Sequence, residues 1–392
     1  MKILVISDSC TSWSKQFIEN TLLKMDGYTV GFLCLTRVPE EWMEYYRQLN
    51  VHIMELPAEV CRDWMTAGKR IDKKISAFLK GMRFFSMLNE YDILNYQFVS
   101  ARLLPFFLSV RETEKKLVLS YWGSDLLRQG QKAERIEGLF LKYKGIAFAT
   151  FDNLDLKDVF FAKYRFRRSR AATAYFADPV LDAMRCIAGQ KADIYAVDGK
   201  QLPADMVITA VGYNGKKEQQ HLKVIEQLSK LDDAYKNRML VLLQMTYGAE
   251  GEYKNLCLRK CGQNGIHAVL FDQYLSNLDV ARIRMAADIF INSQTTDAFA
   301  GSFCEYLYTG TCVLNAAWLH YKEIDRYQLD CEEYRSFDEI PALMEKAMDS
   351  RGKEKRNREG RNREAIWKLR SAKACMKRWE KVFSAVAENA AV

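Results

Sequence analysis

Asp297 and Glu305 stand eight positions apart, with Gly301 and Ser302 between them, in the stretch Asp297-Ala-Phe-Ala-Gly-Ser-Phe-Cys-Glu305. A short apolar segment, Ala287-Asp-Ile-Phe-Ile291, precedes it, and another, Thr311-Cys-Val-Leu314, follows. A strand, a small-residue turn and a helix N-terminus together make an anion site, because unpaired N–H groups and the helix dipole face the ligand. Backbone at Gly301, Ser302 and Phe303 would supply those groups. Glu305 would sit about one turn into the helix and accept hydrogen bonds from sugar hydroxyls, with Asp297 on the loop above it. A diphosphate between two hydroxyl-binding carboxylates is the chemistry of a nucleotide-sugar site. The plainer alternative is a Rossmann-type turn with an incidental acid pair.

A second segment has a related form: Val207-Ile-Thr-Ala-Val-Gly212-Tyr-Asn-Gly215-Lys216-Lys217-Glu-Gln-Gln-His221. It reads as a buried strand, a glycine-rich turn, then a helix carrying both lysines and His221. Glycines let backbone approach phosphate closely, and lysine brings a point charge to it. In the third segment, Leu240-Val-Leu-Leu-Gln-Met-Thr-Tyr247-Gly248, the glycine could admit a base or ribose and Tyr247 could stack on it. A core tyrosine beside a loop is the competing reading.

Strand signals alternate with helical stretches, which argues for parallel α/β layers. In the first half they fall at residues 2–6, 29–35, 51–55, 93–96, 117–121 and 147–151, with another near 172–176. In the second they fall at 206–211, 239–243, 268–271, 289–291 and 312–314. The two series predict Rossmann-like domains over residues 1–195 and 205–365, joined through a polar stretch punctuated by Gly189, Gly199 and Pro203. Residues 366–392 predict a C-terminal helix whose apolar side, with Trp367, Leu369, Trp379, Val382 and Phe383, must be buried.

With 392 residues, 49% hydrophobic and 28% charged, the chain has enough apolar content for two cores. The longest apolar runs fall far short of the ~20 residues of a spanning helix. The opening Met1–Asp8 reads as a first strand rather than a signal peptide, because it carries an acid and lacks a small-residue cleavage site. Ten cysteines form no CxxC pair and four histidines have no metal spacing, so reduced thiols in the cytoplasm are expected and no metal is called for. Net charge is +8, and residues 1–200 hold most of the excess, 30 Lys and Arg against 24 Asp and Glu.

Part of that excess lies in Arg62–Leu88, where Lys69, Arg70, Lys73, Lys74, Lys80 and Arg83 interleave with Trp64, Phe78, Phe84 and Phe85. Such a helix can lie on an anionic membrane surface or cradle a lipid diphosphate, or it can be an ordinary solvated face. Arg165, Arg167 and Arg168 form a smaller basic run. Interleaved acids and the absence of any nucleic-acid motif argue against a nucleic-acid partner.

The Asp-x7-Glu segment resembles the Glu-x7-Glu signature of retaining glycosyltransferases of the GT-B fold. Gly212–His221, Thr246–Tyr253 and Asp297–Glu305 together resemble the acetamido-fucosyl transferases that act on lipid-linked sugars. Lys116-Leu-Val-Leu-Ser-Tyr-Trp122-Gly-Ser124-Asp125 is similar to the His-Gly-x-Asp turn of many GT-B enzymes, with Trp122 in place of the histidine. Ser124 and Asp125 would contact donor sugar or acceptor there, or Asp125 would cap the next helix.

The resemblance implies two Rossmann-like domains facing a cleft and a C-terminal helix that crosses back onto the first domain. It also implies a nucleoside diphosphate sugar as co-substrate, no obligatory metal or other cofactor, and retention of configuration. The acceptor would be a glycan or a lipid-linked sugar in bacterial surface polysaccharide synthesis, reached from the cytoplasm with the protein free or peripheral on the inner membrane face. By the same resemblance Glu305 holds the ribose, Asp297 the donor sugar, and Lys216 and Lys217 the diphosphate. A polysaccharide pyruvyl transferase, which shares the architecture, is the nearest alternative and would have little use for Glu305.

Overall fold

The computed structural model describes residues 1–8, 11–34, 38–56, 71–101, 103–190, 193–350 and 353–388. The chain divides into two compact units, Met1–Ala177 with Ala372–Val392, and Asp178–Ser371.

The first unit is built on seven parallel strands: β1 (Lys2–Ser7), β2 (Thr29–Cys34), β3 (His52–Glu55), β4 (Ile93–Gln97), β5 (Leu117–Tyr121), β6 (Phe148–Phe151) and β7 (Ala171–Thr173). Their order is β3-β2-β1-β4-β5-β6-β7. The central strands are buried nearly throughout, as expected of a parallel sheet covered on both faces. Thr11 starts the first helix, Ser12–Asn20, by accepting a hydrogen bond from Ser14 N, and Asn153 does the same for Leu154–Lys163 through Leu156 N.

The last helix, Ala372–Ala387, belongs to this unit. Trp379 is fully buried there, 4.7 Å from the Phe17 ring, and its indole N–H donates to Tyr175 O at 3.2 Å. Val382, Phe383 and Val386 complete that apolar face on the first sheet, but the helix expected over 366–392 is broken at Ser371: Trp367 and Leu369 lie on the preceding helix, Lys353–Arg370, of the second unit.

The second unit opens with a two-strand hairpin, β8 (Ala196–Val197) and β9 (Lys200–Gln201). Six parallel strands follow: β10 (Val207–Val211), β11 (Met239–Gln244), β12 (His267–Phe271), β13 (Ile289–Asn292), β14 (Cys312–Ala316) and β15 (Glu332–Tyr334). Their order is β12-β11-β10-β13-β14-β15. Neither β15 nor the hairpin had a readable apolar signal.

The units do not divide within the polar stretch 195–205. Helix Pro179–Gln190 packs on helix Asn277–Ala286, and helix Lys353–Arg370 packs on helix Gly301–Tyr308, so both belong to the second unit. Of the basic-aromatic stretch, residues 62–70 lie outside the described residues, and for Lys73 and Lys74 only the backbone is described. Phe78 and Phe85 pack on Phe106. Among the described residues no helix is long and apolar enough to cross a membrane.

Candidate functional site

The second sheet reverses its winding between β10 and β13, and ligands of open parallel sheets bind outside the carboxyl ends at such a point. The segments that leave β10, β11 and β13 there are the three singled out from sequence.

After β10 the chain turns at Gly212, whose φ of +64° favours glycine and whose N–H donates to Ile291 O at 3.2 Å. Gly215 N donates to Tyr247 O at 2.7 Å, and a Cβ on Gly215 would lie 2.5 Å from that of Ala249. Gly248 takes a φ of +84°, and a Cβ there would lie 2.5 Å from Lys216 Cγ. The loops after β10 and β11 are therefore closed on each other, with glycine where they touch. Tyr247 is half exposed beside them, its hydroxyl 3.4 Å from Asn214 Nδ2.

The lysines do not lie in the helix that the sequence suggested. Lys216 is extended, Lys217–Gln219 form one 3-10 turn, Gln220 is left-handed, and the helix His221–Leu228 starts only then. Both lysines are exposed. His221 is not a ligand contact as it stands: it is buried, with Nδ1 3.4 Å from the Tyr253 hydroxyl, and burial pushes its pKa down to about 4, so the ring is neutral.

Helix Gly301–Tyr308 begins after Ala300, which offers no side-chain cap, so the first N–H groups are left for another partner. Glu305 lies in its second turn and is no free-standing acid. Its Oε2 accepts from Arg284 Nε at 2.7 Å. Arg284 is 1% exposed and donates further to Gln244 Oε1 at 2.6 Å, Tyr306 OH at 2.8 Å and Ser302 Oγ at 3.3 Å. Phe303 is wholly buried against Phe299 and Tyr321, so only its backbone can serve a ligand.

Glu305 Oε1 lies 3.8 Å from the point where a Cβ on Gly301 would stand, and Asp178 Oδ2 lies 3.6 Å from the same point. Asp178 Oδ1 accepts from Val180 N at 3.0 Å, while Oδ2 is buried without a hydrogen bond. Burial first, and then the charge of Glu305, hold the Asp178 carboxyl well above the usual carboxylate range. A raised folded pKa favours the fold at acid pH, and that share is lost as the pH climbs through the folded value. Asp178→Asn should therefore raise the melting temperature near pH 8, by about 2–4 °C for each kcal/mol of relieved strain, and change it little near pH 4. Equal melting of variant and parent near pH 8 would contradict this placement.

Asp297 accepts from Ala298 N at 2.8 Å and from the Tyr321 hydroxyl at 3.0 Å, and burial pushes its carboxyl upward. Two residues on, Phe299 is left-handed with φ +54°, a strained state for a residue with a side chain. Arg370 Nη2 holds the Phe299 carbonyl at 2.7 Å, and the Phe299 ring lies 5.5 Å from Tyr321. Gln294 ties this loop to the first: it accepts from the Tyr213 hydroxyl at 2.7 Å and from Gln219 Nε2, while its carbonyl takes Trp318 Nε1 at 2.9 Å.

Sequence reading thus found the three loops but not the groups that fix them, namely Asp178, Tyr213, Arg284, Gln294, Tyr321 and Arg370. Arg284 had no signal of its own, because Arg282 stands beside it in Ala281-Arg-Ile-Arg-Met-Ala286 and only the fold buries the second of the two.

Ser124 and Asp125 belong to the first unit. Ser124 is exposed at the start of helix Ser124–Leu127. Asp125 is buried, and its carboxylate accepts from the backbone of Val99 at 3.0 Å, Trp122 at 3.0 Å and Gly123 at 2.8 Å. Burial raises its pKa to about 7 against those amides. Its carboxylate clamps three backbone amides, and it does not cap helix Ser124–Leu127, which has no side-chain cap, so the capping role offered as the alternative from sequence is not the one found.

Among the described residues no group of three or more His, Cys, Asp or Glu side chains is placed to hold a metal ion. A cavity of about 620 Å³ lies at the other end of helix Gly301–Tyr308, lined by Arg185, Tyr308, Arg363 and Trp367, and none of the candidate residues borders it.

No protein-family model matches the chain, and no curated protein matches its sequence. Solved structures match over nearly the whole length. A glycosyltransferase from Rickettsia africae is 12% identical with a TM-score of 0.74, covering 99% of each chain. Anabaena HepE in complex with UDP and glucose is 11% identical with a TM-score of 0.67, covering 98% of this chain and 100% of the other. Sucrose-phosphate synthase from Thermosynechococcus elongatus is 10% identical with a TM-score of 0.67, covering 98% and 99%. At such identities the likeness speaks for the fold alone, and with the two parallel sheets it establishes that fold as GT-B.

Proposed function

We propose that the protein is a glycosyltransferase. It would move a sugar from a nucleoside diphosphate sugar to a glycan or lipid-linked acceptor, with retention, in bacterial surface polysaccharide synthesis. The observation that carries this reading is the place of Glu305. It lies in the uncapped helix after β13, fixed on one oxygen by Arg284, with its other oxygen toward Gly301. One carboxylate oxygen held by the protein leaves the other to accept from a ribose hydroxyl. HepE, described with UDP, UDP and glucose, and UDP-glucose, makes UDP the first nucleotide to try.

In this reading the N–H groups of Gly301–Phe303 and the Lys216 ammonium receive the diphosphate. Such preorganised donors stabilise the charge that builds on a leaving group, with no obligatory metal. Tyr247 and Gly248 border the base, and Asp297 accepts from donor-sugar hydroxyls. The bond from the anomeric carbon to the phosphate oxygen breaks while the acceptor hydroxyl oxygen bonds to the same face. The hydroxyl proton passes to the departing phosphate oxygen. The protein would work in the cytoplasm, free or on the inner membrane face.

Titration calorimetry with UDP, thymidine diphosphate and phosphoenolpyruvate tests the donor class. Saturable binding of one nucleoside diphosphate is expected, and silence from both would overturn the reading. Gly215→Ala should weaken that binding about tenfold, because the added methyl forces Ala249 and the Tyr247 carbonyl away. An unaltered affinity would detach the loop after β10 from the nucleotide.

A further inference from the structure

The first sheet has its own reversal of winding, between β1 and β4. A ligand is expected outside the carboxyl ends there as much as in the second sheet. Three aromatic residues stand at that place. Trp13 follows β1, Phe98 follows β4 and Trp122 follows β5.

Trp13 is 49% exposed and Phe98 is 39% exposed, and unlike the unit's other exposed apolar side chains they share a contact with one ring. Both meet the Trp122 ring nearly at right angles, with centroids 6.4 Å and 6.2 Å away and interplanar angles of 83° and 88°. Trp122 is fixed in turn. Its indole N–H donates to Gln97 Oε1 at 2.6 Å, and its ring lies 4.8 Å from Phe176.

Phe98 reaches this position through a left-handed backbone, φ +58°. Such a conformation costs about 1–3 kcal/mol and survives only where neighbours enforce it. Here Phe98 N donates to Ser120 O at 3.0 Å, and Asp125 binds the amides of Val99, Trp122 and Gly123. The buried Asp125 thus joins the ends of β4 and β5 and holds two of the three rings in place. At the rim are the exposed Ser124 and the partly exposed Asp8, which accepts from the Tyr96 hydroxyl at 2.5 Å.

We propose that Trp13, Phe98 and Trp122 form a stacking platform for a pyranose ring of the acceptor. A pyranose is amphipathic, with an apolar C–H face and a belt of hydroxyls. The first suits exposed aromatic rings and the second suits the hydroxyl and carboxylate at the rim. The acceptor's sugar, rather than a lipid diphosphate, is then what the first unit grips. The word acceptor rests on the glycosyltransferase reading, while the sugar platform itself does not.

The test uses the full chain and saturation-transfer NMR with methyl glycosides of glucose, galactose, mannose and N-acetylglucosamine, beside a UDP titration. At least one glycoside should receive saturation through its ring C–H protons. Trp13→Ala should weaken it fivefold or more without altering UDP affinity. Phe98→Gly should act in the same direction while relieving the left-handed strain, so loss of binding cannot be ascribed to unfolding. If no glycoside binds, or if both variants bind as the parent does, the platform is overturned even where UDP still binds. If glycosides bind through Trp13 and no nucleotide does, the platform stands and the donor reading fails.

Discussion

Glu305→Ala should destabilise the second unit by about 3–5 kcal/mol, because it leaves Arg284 buried with no counter-charge. Arg284 is almost wholly enclosed, and the residue closest to neutralising it is Glu305 at 2.7 Å. From sequence the glutamate looks removable without harm to the fold, since a ligand-binding acid is usually dispensable to folding. The structure gives it a second duty. Glu305→Gln keeps an oxygen for Arg284 and should lose distinctly less stability, which separates the ion pair from the volume of the side chain. Replacing both partners, as in Arg284→Met with Glu305→Leu, should cost less than the sum of the single changes, since apolar pairs of similar size often substitute for buried ion pairs. Denaturant midpoints of these five variants, the single changes Arg284→Met and Glu305→Leu included, check this. A Glu305→Ala protein that unfolds at the parent's midpoint would show that the pair holds nothing together.

Local signals carried the sequence reading a long way. The buried parallel strands are near-continuous apolar runs, so β1, β4, β5, β10, β11, β13 and β14 were legible without partners. β15 was not, because Glu332-Glu-Tyr334 is an edge strand with the charges such strands carry. The Asp297–Glu305 turn was legible because strand, small residues and helix are adjacent in the chain. What could not be read is whatever reaches the site across the chain. Asp178 comes from the start of another helix, Arg284 from the helix before β13, and Arg370 from the end of helix Lys353–Arg370. The lysine loop was misplaced for a different reason. Gln220 takes a left-handed conformation and postpones the helix, and glutamine gives no hint of that. The turn at Trp122 was found by resemblance, yet Asp125 proved to serve backbone amides, a use that residue type alone cannot distinguish from catalysis.

Lys216→Ala should lower turnover by about 10²–10³-fold, the usual cost of removing one preorganised group that stabilises charge on a leaving group. Lys217→Ala should change it by less than about threefold, as for a solvated surface residue. The two stems separate although the residues are neighbours. Lys216 N is held by Asn214 Oδ1 at 2.9 Å, and its side chain runs over Gly248, with Cγ at 2.5 Å and Cε at 3.5 Å from the point where a Cβ would stand there. It therefore lies along the junction of the loops after β10 and β11, beside the half-exposed Tyr247. Lys217 opens the 3-10 turn instead, and its ammonium is directed to the Tyr253 ring, 5.8 Å from the centroid. A diphosphate bound at the carboxyl ends of β10 and β13 can use the first cation without disturbing the second. Initial rates with saturating donor read the difference, and a parallel nucleotide titration separates lost binding from lost turnover. If both alanine variants keep rates near the parent's, the loop after β10 is not the diphosphate clamp and the anion rests on helix Gly301–Tyr308 alone. If only Lys217→Ala is inactive, the charge reaches the phosphate from the Tyr253 side, and the roles of the two lysines are exchanged.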